Sequence, residues 1–125
     1  MARPRPLSPH LQVYRPQLTS LMSISHRATG VALTTGTLVM AIWLIALAFG
    51  GESFAMMAAL LAHPLGQFVL FGYSVALIYH ALNGVRHMFW DLGRGLTIPD
   101  VYRSGHAVLF LTFFLTACLW LVVLV

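Results

Sequence analysis

The stretch Tyr79-His80-Ala81-Leu82-Asn83-Gly84-Val85-Arg86-His87-Met88-Phe89-Trp90-Asp91 places polar side chains inside an apolar run and then ends in charged residues. At 100° per residue, His80, Gly84, His87 and Asp91 lie within about 60° of one another on a helix. Polar groups are costly in hydrocarbon, so this stripe is expected to face a partner, a cofactor or a cavity.

The composition indicates an all-α integral membrane protein. Of the 125 residues, 59% are hydrophobic and only 8% are charged, and the mean hydropathy is +0.85. Residues 28–51 and 104–125 contain no Asp, Glu, Lys or Arg. Residues 53–85 also lack these four residue types, and contain two histidines, His63 and His80. Because about 20 apolar residues span the hydrocarbon core, the sequence predicts three transmembrane helices.

The distribution of arginine predicts the orientation. All seven arginines precede the first of these apolar runs or lie between the second and the third, namely Arg3, Arg5, Arg15, Arg27, Arg86, Arg94 and Arg103. The connection between the first two spans holds Glu52 and no basic residue. By the positive-inside rule, the N-terminus is cytoplasmic and the C-terminus lies outside. Arginines at the edges of spans favour a membrane protein over a nucleic-acid-binding one.

Prolines and glycines divide the chain around these spans. Residues 1–19 are a proline-punctuated cytoplasmic segment that could contact the membrane or a soluble partner, or remain a disordered tail. The transmembrane helices are predicted over residues 20–49, 64–92 and 101–125, joined by an outward connection at 50–63 and a cytoplasmic loop at 93–100. Thr19 or Ser20 can cap the first helix, and Asp100 the third.

The second span is longer than the ~30 Å of hydrocarbon that it crosses. Arg86, which should point away from the histidine stripe, is therefore expected to emerge into the cytoplasmic headgroups. His80 lies on the order of 9 Å deeper, in the cytoplasmic half of the bilayer. A buried histidine of this kind serves as an interhelical hydrogen bonder, as part of a proton relay, or as an axial ligand of b-type haem.

A second polar cluster stands at the start of the first span. Ser23 and Arg27 share a helix face, and His26 is displaced from Ser23 by about 60°. Snorkelling of Arg27 to the headgroups would explain one arginine, but not the cluster. Arg and Ser hydroxyl groups stabilise the negative charge that develops on a quinone carbonyl, and cationic groups neutralise haem propionates. The cluster therefore predicts a ligand site.

A haem ligated by His80 would need a second imidazole from another subunit. His87 lies ~10 Å along the same helix and cannot reach the opposite face of the same iron. The sequence holds no nucleophile triad, CxxC pair, phosphate loop or paired carboxylates, and Cys118 stands alone. Catalysis by this chain alone is therefore not supported.

Three stretches resemble the cytochrome b556 subunits of succinate dehydrogenase, the large membrane anchors of respiratory complex II. They are Arg5-Pro6-Leu7-Ser8-Pro9-His10-Leu11-Gln12-Val13-Tyr14, Ser23-Ile24-Ser25-His26-Arg27-Ala28-Thr29-Gly30 and the stretch from His80 to Asp91. The resemblance implies one haem b shared with a second anchor subunit, an iron–sulfur subunit, a flavoprotein subunit and ubiquinone as substrate. It also implies the bacterial cytoplasmic (inner) membrane or the mitochondrial inner membrane.

The resemblance also implies residue roles. His80 would be an axial haem ligand, His26 and Arg27 would approach the propionates, and Ser23 with Arg27 would bind the quinone. His87 and Asp91 would lie near the site, and residues 1–19 would contact the iron–sulfur subunit. The alternatives are a haem-free structural anchor of a related fumarate reductase and a small proton-relay transporter subunit that uses His80, His87 and Asp91.

Overall fold

The computed structural model describes residues 15–124, and the regular secondary structure in that part of the chain is entirely helical. The helices are α1 (Leu18–Phe49), α2 (Gly51–Ala62), α3 (Pro64–Asp91) and α4 (Ile98–Leu124). Helices α1, α3 and α4 are long and apolar enough to cross a membrane. The predicted all-α fold with three transmembrane helices is thus confirmed. Most of the predicted segment 1–19 lies outside the described residues.

The helix starts differ from the predictions. Helix α1 begins at Leu18 after Gln17, and no side chain caps it, so the expected cap by Thr19 or Ser20 is wrong. Helix α4 begins three residues before the predicted start. The Thr97 hydroxyl accepts a hydrogen bond from the Asp100 backbone N–H at 3.4 Å and donates to the Asp100 carboxylate at 2.6 Å. Thr97 is therefore the capping residue, and Asp100 lies in the first turn, where its charge suits the helix dipole.

The outward connection is itself a helix. Gly50 and Gly51 have φ values of +63° and +53°, which only glycine adopts readily, and they turn the chain from α1 into α2. At 12 residues, α2 is about 18 Å long and too short to span a membrane. A Cβ on Gly66 would clash with the Leu60 carbonyl oxygen, so glycine permits the close approach of α2 to the start of α3.

A small core joins the three long helices on the side of the α3–α4 loop. Met22 of α1, Tyr79 of α3 and Val108 of α4 are buried against one another, with Leu18 and Leu82 beside them. The Tyr79 hydroxyl donates a hydrogen bond to the Met22 carbonyl at 2.8 Å. This core sets the register between α1 and α3, and with it the relative positions of the two polar clusters.

A hydrogen bond also joins the first half of α3 to the end of α4, where Trp120 donates its indole N–H to the Ser74 hydroxyl at 2.9 Å. Most large apolar side chains remain uncovered, for example Leu38 at 66%, Phe68 at 71% and Phe113 at 77% exposure. Apolar surface on this scale needs lipid or another subunit to cover it.

Candidate functional site

Three histidines meet where α1 crosses α3. The imidazole rings of His26 and His80 stack at a centroid distance of 3.9 Å with 10° between their planes. The His87 ring is also close to His26: their ring centroids are 5.4 Å apart, and their planes are tilted by 42°. The tertiary structure therefore joins the histidine stripe of α3 to the polar cluster of α1, although His80 and His26 are 54 residues apart in the sequence.

One nitrogen of His80 is occupied by α1. His80 Nδ1 lies 3.1 Å from the His26 carbonyl oxygen and 3.1 Å from the Thr29 hydroxyl. The Thr29 hydroxyl is also 2.9 Å from the carbonyl oxygens of Ser25 and His26, either of which can accept its proton. Because a carbonyl oxygen only accepts, the hydrogen bond to the His26 carbonyl requires the proton on His80 Nδ1, and in that tautomer the lone pair is on Nε2.

This arrangement fits a metal-bound imidazole. Ligating histidines usually donate the N–H of one ring nitrogen to a carbonyl or carboxylate, and this bond fixes the ring and the tautomer. For His80 that bond goes to the His26 carbonyl. Nε2 is thus the nitrogen available to haem iron.

Glycine allows α1 to approach the His80 ring. A Cβ on Gly30 would lie 3.2 Å from His80 Cε1, so even alanine would require the ring to move. Gly84 is less constrained, because a Cβ there would lie 4.0 Å from His26 Cε1, an ordinary contact. The close fit of α1 against His80 therefore depends on Gly30.

His26 has an unused hydrogen-bonding atom. Its Nδ1 is buried and has no hydrogen-bond partner within residues 15–124. Buried polar atoms are normally paired, so such an atom indicates a group that the protein alone does not supply. A propionate oxygen fits the chemistry, because an imidazole N–H donates well to a carboxylate.

The other predicted residues lie around the stacked rings of His26 and His80. Ser23 is half-buried one turn before His26–Arg27, and Arg27 is exposed. His87 is half-buried, and its ring meets the Trp90 ring edge-on at 4.9 Å. Asp91 is exposed at the end of α3. The structure thus places Ser23, Arg27 and Asp91 at the rim and the three histidines at the centre.

The stacked histidines cannot both ligate one iron. Two imidazoles stacked face to face at 3.9 Å lie side by side and cannot donate to one iron from opposite sides. In the described part of the chain, no three His, Cys, Asp or Glu side chains converge to hold a metal ion. Of the stacked pair, one imidazole is therefore available to a haem iron.

Arg86 has an environment that the sequence did not predict. Its side chain is buried, at 6% exposure, between α3 and α4. The guanidinium donates to the Ser104 hydroxyl at 2.9 Å, the Val101 carbonyl at 2.8 Å and the Asn83 side-chain oxygen at 3.3 Å. Its carbon also lies 4.0 Å from the Trp90 ring centroid.

A sequence signal for this burial exists. Arg86 and Trp90 are separated by four residues on one helix, a spacing at which side chains meet, and Arg stacks on indole. The periodicity of α3 does not indicate which helix packs against Arg86 and Trp90. In the structure, the first turns of α4 contact Arg86, and its guanidinium donates to the Val101 carbonyl and the Ser104 hydroxyl.

Comparison with known proteins supplies the family. Residues 1–119 match the sequence model of a family described as the succinate dehydrogenase/fumarate reductase transmembrane subunit. The chain belongs to this family. The resemblance seen in the three sequence stretches is thereby confirmed.

Individual members of the succinate dehydrogenase/fumarate reductase transmembrane subunit family agree with this assignment. The chain is 37% identical over 116 residues to the succinate dehydrogenase cytochrome b556 subunit of Rickettsia prowazekii, covering 93% of this chain and 90% of the relative. The corresponding subunit of Paracoccus denitrificans is 43% identical over 105 residues, or 84% and 81% of the two chains. The mitochondrial cytochrome b560 subunit of Sus scrofa is 44% identical over 112 residues.

Coverage differs between the bacterial and mitochondrial members of the family. The match to the Sus scrofa subunit takes in 86% of this chain but 65% of that protein, so the chain spans slightly less than two thirds of this relative. The roles of Ser23, His26, Arg27, His80, His87 and Asp91 remain predictions from the sequence and the geometry.

Proposed function

We propose that this chain is the membrane-anchor cytochrome b subunit of a succinate dehydrogenase, which holds haem b together with a second anchor subunit and forms part of the ubiquinone-reduction site. The observation that carries the proposal is the bond from His80 Nδ1 to the His26 carbonyl, which leaves Nε2 free for iron. The chain is not catalytic alone, and works as one subunit of the complex.

In the haem site, each proposed role uses an atom that the fold leaves available. When bound, haem b accepts and releases one electron. His80 would hold it through Nε2, and Nδ1 of His26, which has no hydrogen-bond partner among the described residues, would bind a propionate. Arg27, beside His26 and exposed, adds positive charge on the aqueous side.

In the quinone site, Ser23 and Arg27 bind the headgroup. They stand four residues apart on α1, so both side chains reach the same side of the helix. The Ser23 hydroxyl donates to the quinone carbonyl, and Arg27 stabilises the negative charge that develops there as electrons arrive. His87 and Asp91, at the cytoplasmic end of the α3 stripe, are near-site residues with no more specific role.

The complex that this function requires includes a second anchor, an iron–sulfur subunit and a flavoprotein subunit. The arginines place the N-terminus and the α3–α4 loop on the cytoplasmic or matrix side, where the water-soluble subunits would dock. Residues 1–19 are proposed to contact the iron–sulfur subunit. The membrane would be the bacterial cytoplasmic (inner) membrane or the mitochondrial inner membrane.

A reduced-minus-oxidised spectrum of the purified complex tests the haem assignment. The His80→Ala variant, co-expressed with the second anchor, should lose or strongly shift the α band of the b-type haem. The matched control is His106→Ala, because His106 is an exposed histidine on α4. A band that survives the His80 substitution unchanged would show that another histidine is the ligand.

The haem-free structural anchor of a fumarate reductase is the second candidate, and one observation favours it. His80 already bridges α1 and α3 through the His26 carbonyl, which is what an interhelical hydrogen bonder would do. The absence of a b-type band in the wild-type complex would select this function.

The proton-relay transporter is the weakest alternative. The outer half of the α1–α3 contact forms an apolar groove of about 510 Å³, bordered by residues such as Val39, Met40 and Val69. Among the described residues, no histidine or carboxylate lines this groove. A relay from His80 would therefore meet the hydroxyl groups of Thr35 and Tyr73 in this groove, but no titratable histidine or carboxylate on which to continue outward.

A further inference from the structure

The start of α1 carries the proposed quinone-binding pair but has little local support. Gln17 provides no capping hydrogen bond, and the first turn contains no acidic residue. The first four N–H groups of a helix lack intrahelical partners, so an uncapped start tends to fray. Ser23 and Arg27 lie within the next turns. Their positions must therefore be determined by contacts with other helices.

Helix α3 supplies those contacts at two successive residues. The buried Tyr79 hydroxyl donates to the Met22 carbonyl at 2.8 Å, and His80 Nδ1 lies 3.1 Å from the His26 carbonyl one turn later. Ser23 stands between the two held carbonyls. Met22 itself is 3% exposed and packs against the Tyr79 ring, so this turn of α1 is held by both packing and a hydrogen bond.

We propose that Tyr79 is a positioning residue for quinone binding, an inference that rests on the proposed function of Ser23 and Arg27. Its hydroxyl fixes the rotation and depth of the turn that presents Ser23, next in sequence to Met22. The hydrogen bond of this hydroxyl goes to the Met22 carbonyl of α1, and not to any residue proposed to hold haem. Its removal should affect the quinone more than the haem.

The Tyr79→Phe variant tests this inference in the assembled four-subunit complex. Phenylalanine keeps the ring in the core and removes only the hydrogen bond. We expect the KM for a short-chain ubiquinone to rise about three- to tenfold, the effect of losing one well-placed hydrogen bond. The kcat at saturating quinone and the haem spectrum should stay close to wild type.

Two controls separate positioning from general loosening. Tyr73→Phe removes a hydroxyl from the same helix; the Tyr73 hydroxyl has no hydrogen-bond partner in residues 15–124, and its loss should leave KM unchanged. Val108→Ala loosens the same core from α4 without touching the Tyr79 hydrogen bond. It should lower thermal stability with little effect on KM.

The outcomes distinguish this inference from the proposed function. If Ser23→Ala leaves the quinone KM unchanged, the quinone assignment itself fails. If Ser23→Ala raises KM but Tyr79→Phe does not, the positioning role of Tyr79 is wrong. An equal rise in Val108→Ala, or failure of Tyr79→Phe to assemble with haem, would show that the hydroxyl acts on the whole fold and would overturn the inference.

Discussion

The orientation of the His80 imidazole is constrained by its contacts with α1. Thr29 and the His26 carbonyl surround Nδ1, and Gly30 leaves the space that the ring requires. A hydrogen bond donated from the distal nitrogen increases the electron density on a ligating imidazole, which stabilises the oxidised metal. The Thr29 hydroxyl should therefore influence haem potential without touching the haem.

Replacing Thr29 with valine tests this influence. Thr29→Val removes one acceptor of the Nδ1–H, so the ferric state loses stabilisation and the midpoint potential of the haem should rise. About 1 kcal/mol of differential hydrogen bonding corresponds to about 40 mV for a one-electron couple. Redox titration of the α band measures the shift. Thr29→Ser, which keeps the hydroxyl, should stay near the wild-type potential, and an equal shift there would contradict the explanation.

At the scale of elements, α3 is the helix that α1 and α4 both contact through polar side chains. Toward α1 it presents Tyr79 and His80, and toward α4 it presents Arg86. The Arg86 guanidinium makes three hydrogen bonds and stacks on Trp90, whose indole N–H donates to the Gly95 carbonyl at 3.1 Å. The α3–α4 loop is thus tied to the same guanidinium that joins the two helices.

Arg86 should be important for stability although it touches no proposed ligand. Lysine cannot reproduce the planar fork that reaches three acceptors, so Arg86→Lys should cost about 1.5–3 kcal/mol. The temperature at which the complex loses haem absorbance should fall by several degrees. Arg103→Lys is the matched control, because Arg103 is an exposed arginine on α4. Similar losses in the two variants would contradict the role of the buried network.

At the scale of the whole molecule, the chain has a small core and a large apolar surface. The buried hydrophobic residues in the described part of the chain are Met22, Ala76, Tyr79 and Val108, two of them at the α1–α3 hydrogen bond. Three helices with so little mutual burial depend on lipid or a further subunit for cover. The same incompleteness applies to the proposed haem site, for which this chain offers the imidazole of His80.

Because this chain offers one imidazole for the proposed haem site, the amount of haem bound should depend on the second anchor subunit. We expect one haem b for each pair consisting of this chain and the second anchor, and no stable b-type haem when this chain is expressed alone. Haem extracted per mole of protein, measured on the complex and on the chain expressed alone, decides the matter. A full haem content in the isolated chain would mean that two copies of this chain share the ligands.

Sequence alone determined the membrane class, the three spans and the polar residues of interest, because hydropathy and helical periodicity are local properties. It could not determine which neighbour each helix face meets. The tertiary structure decided that His26 stacks on His80, that Arg86 turns inward to α4, and that Thr97 begins the last helix. Such contacts depend on the relative rotation and depth of helices that are distant along the chain, which the residue pattern of one helix does not contain.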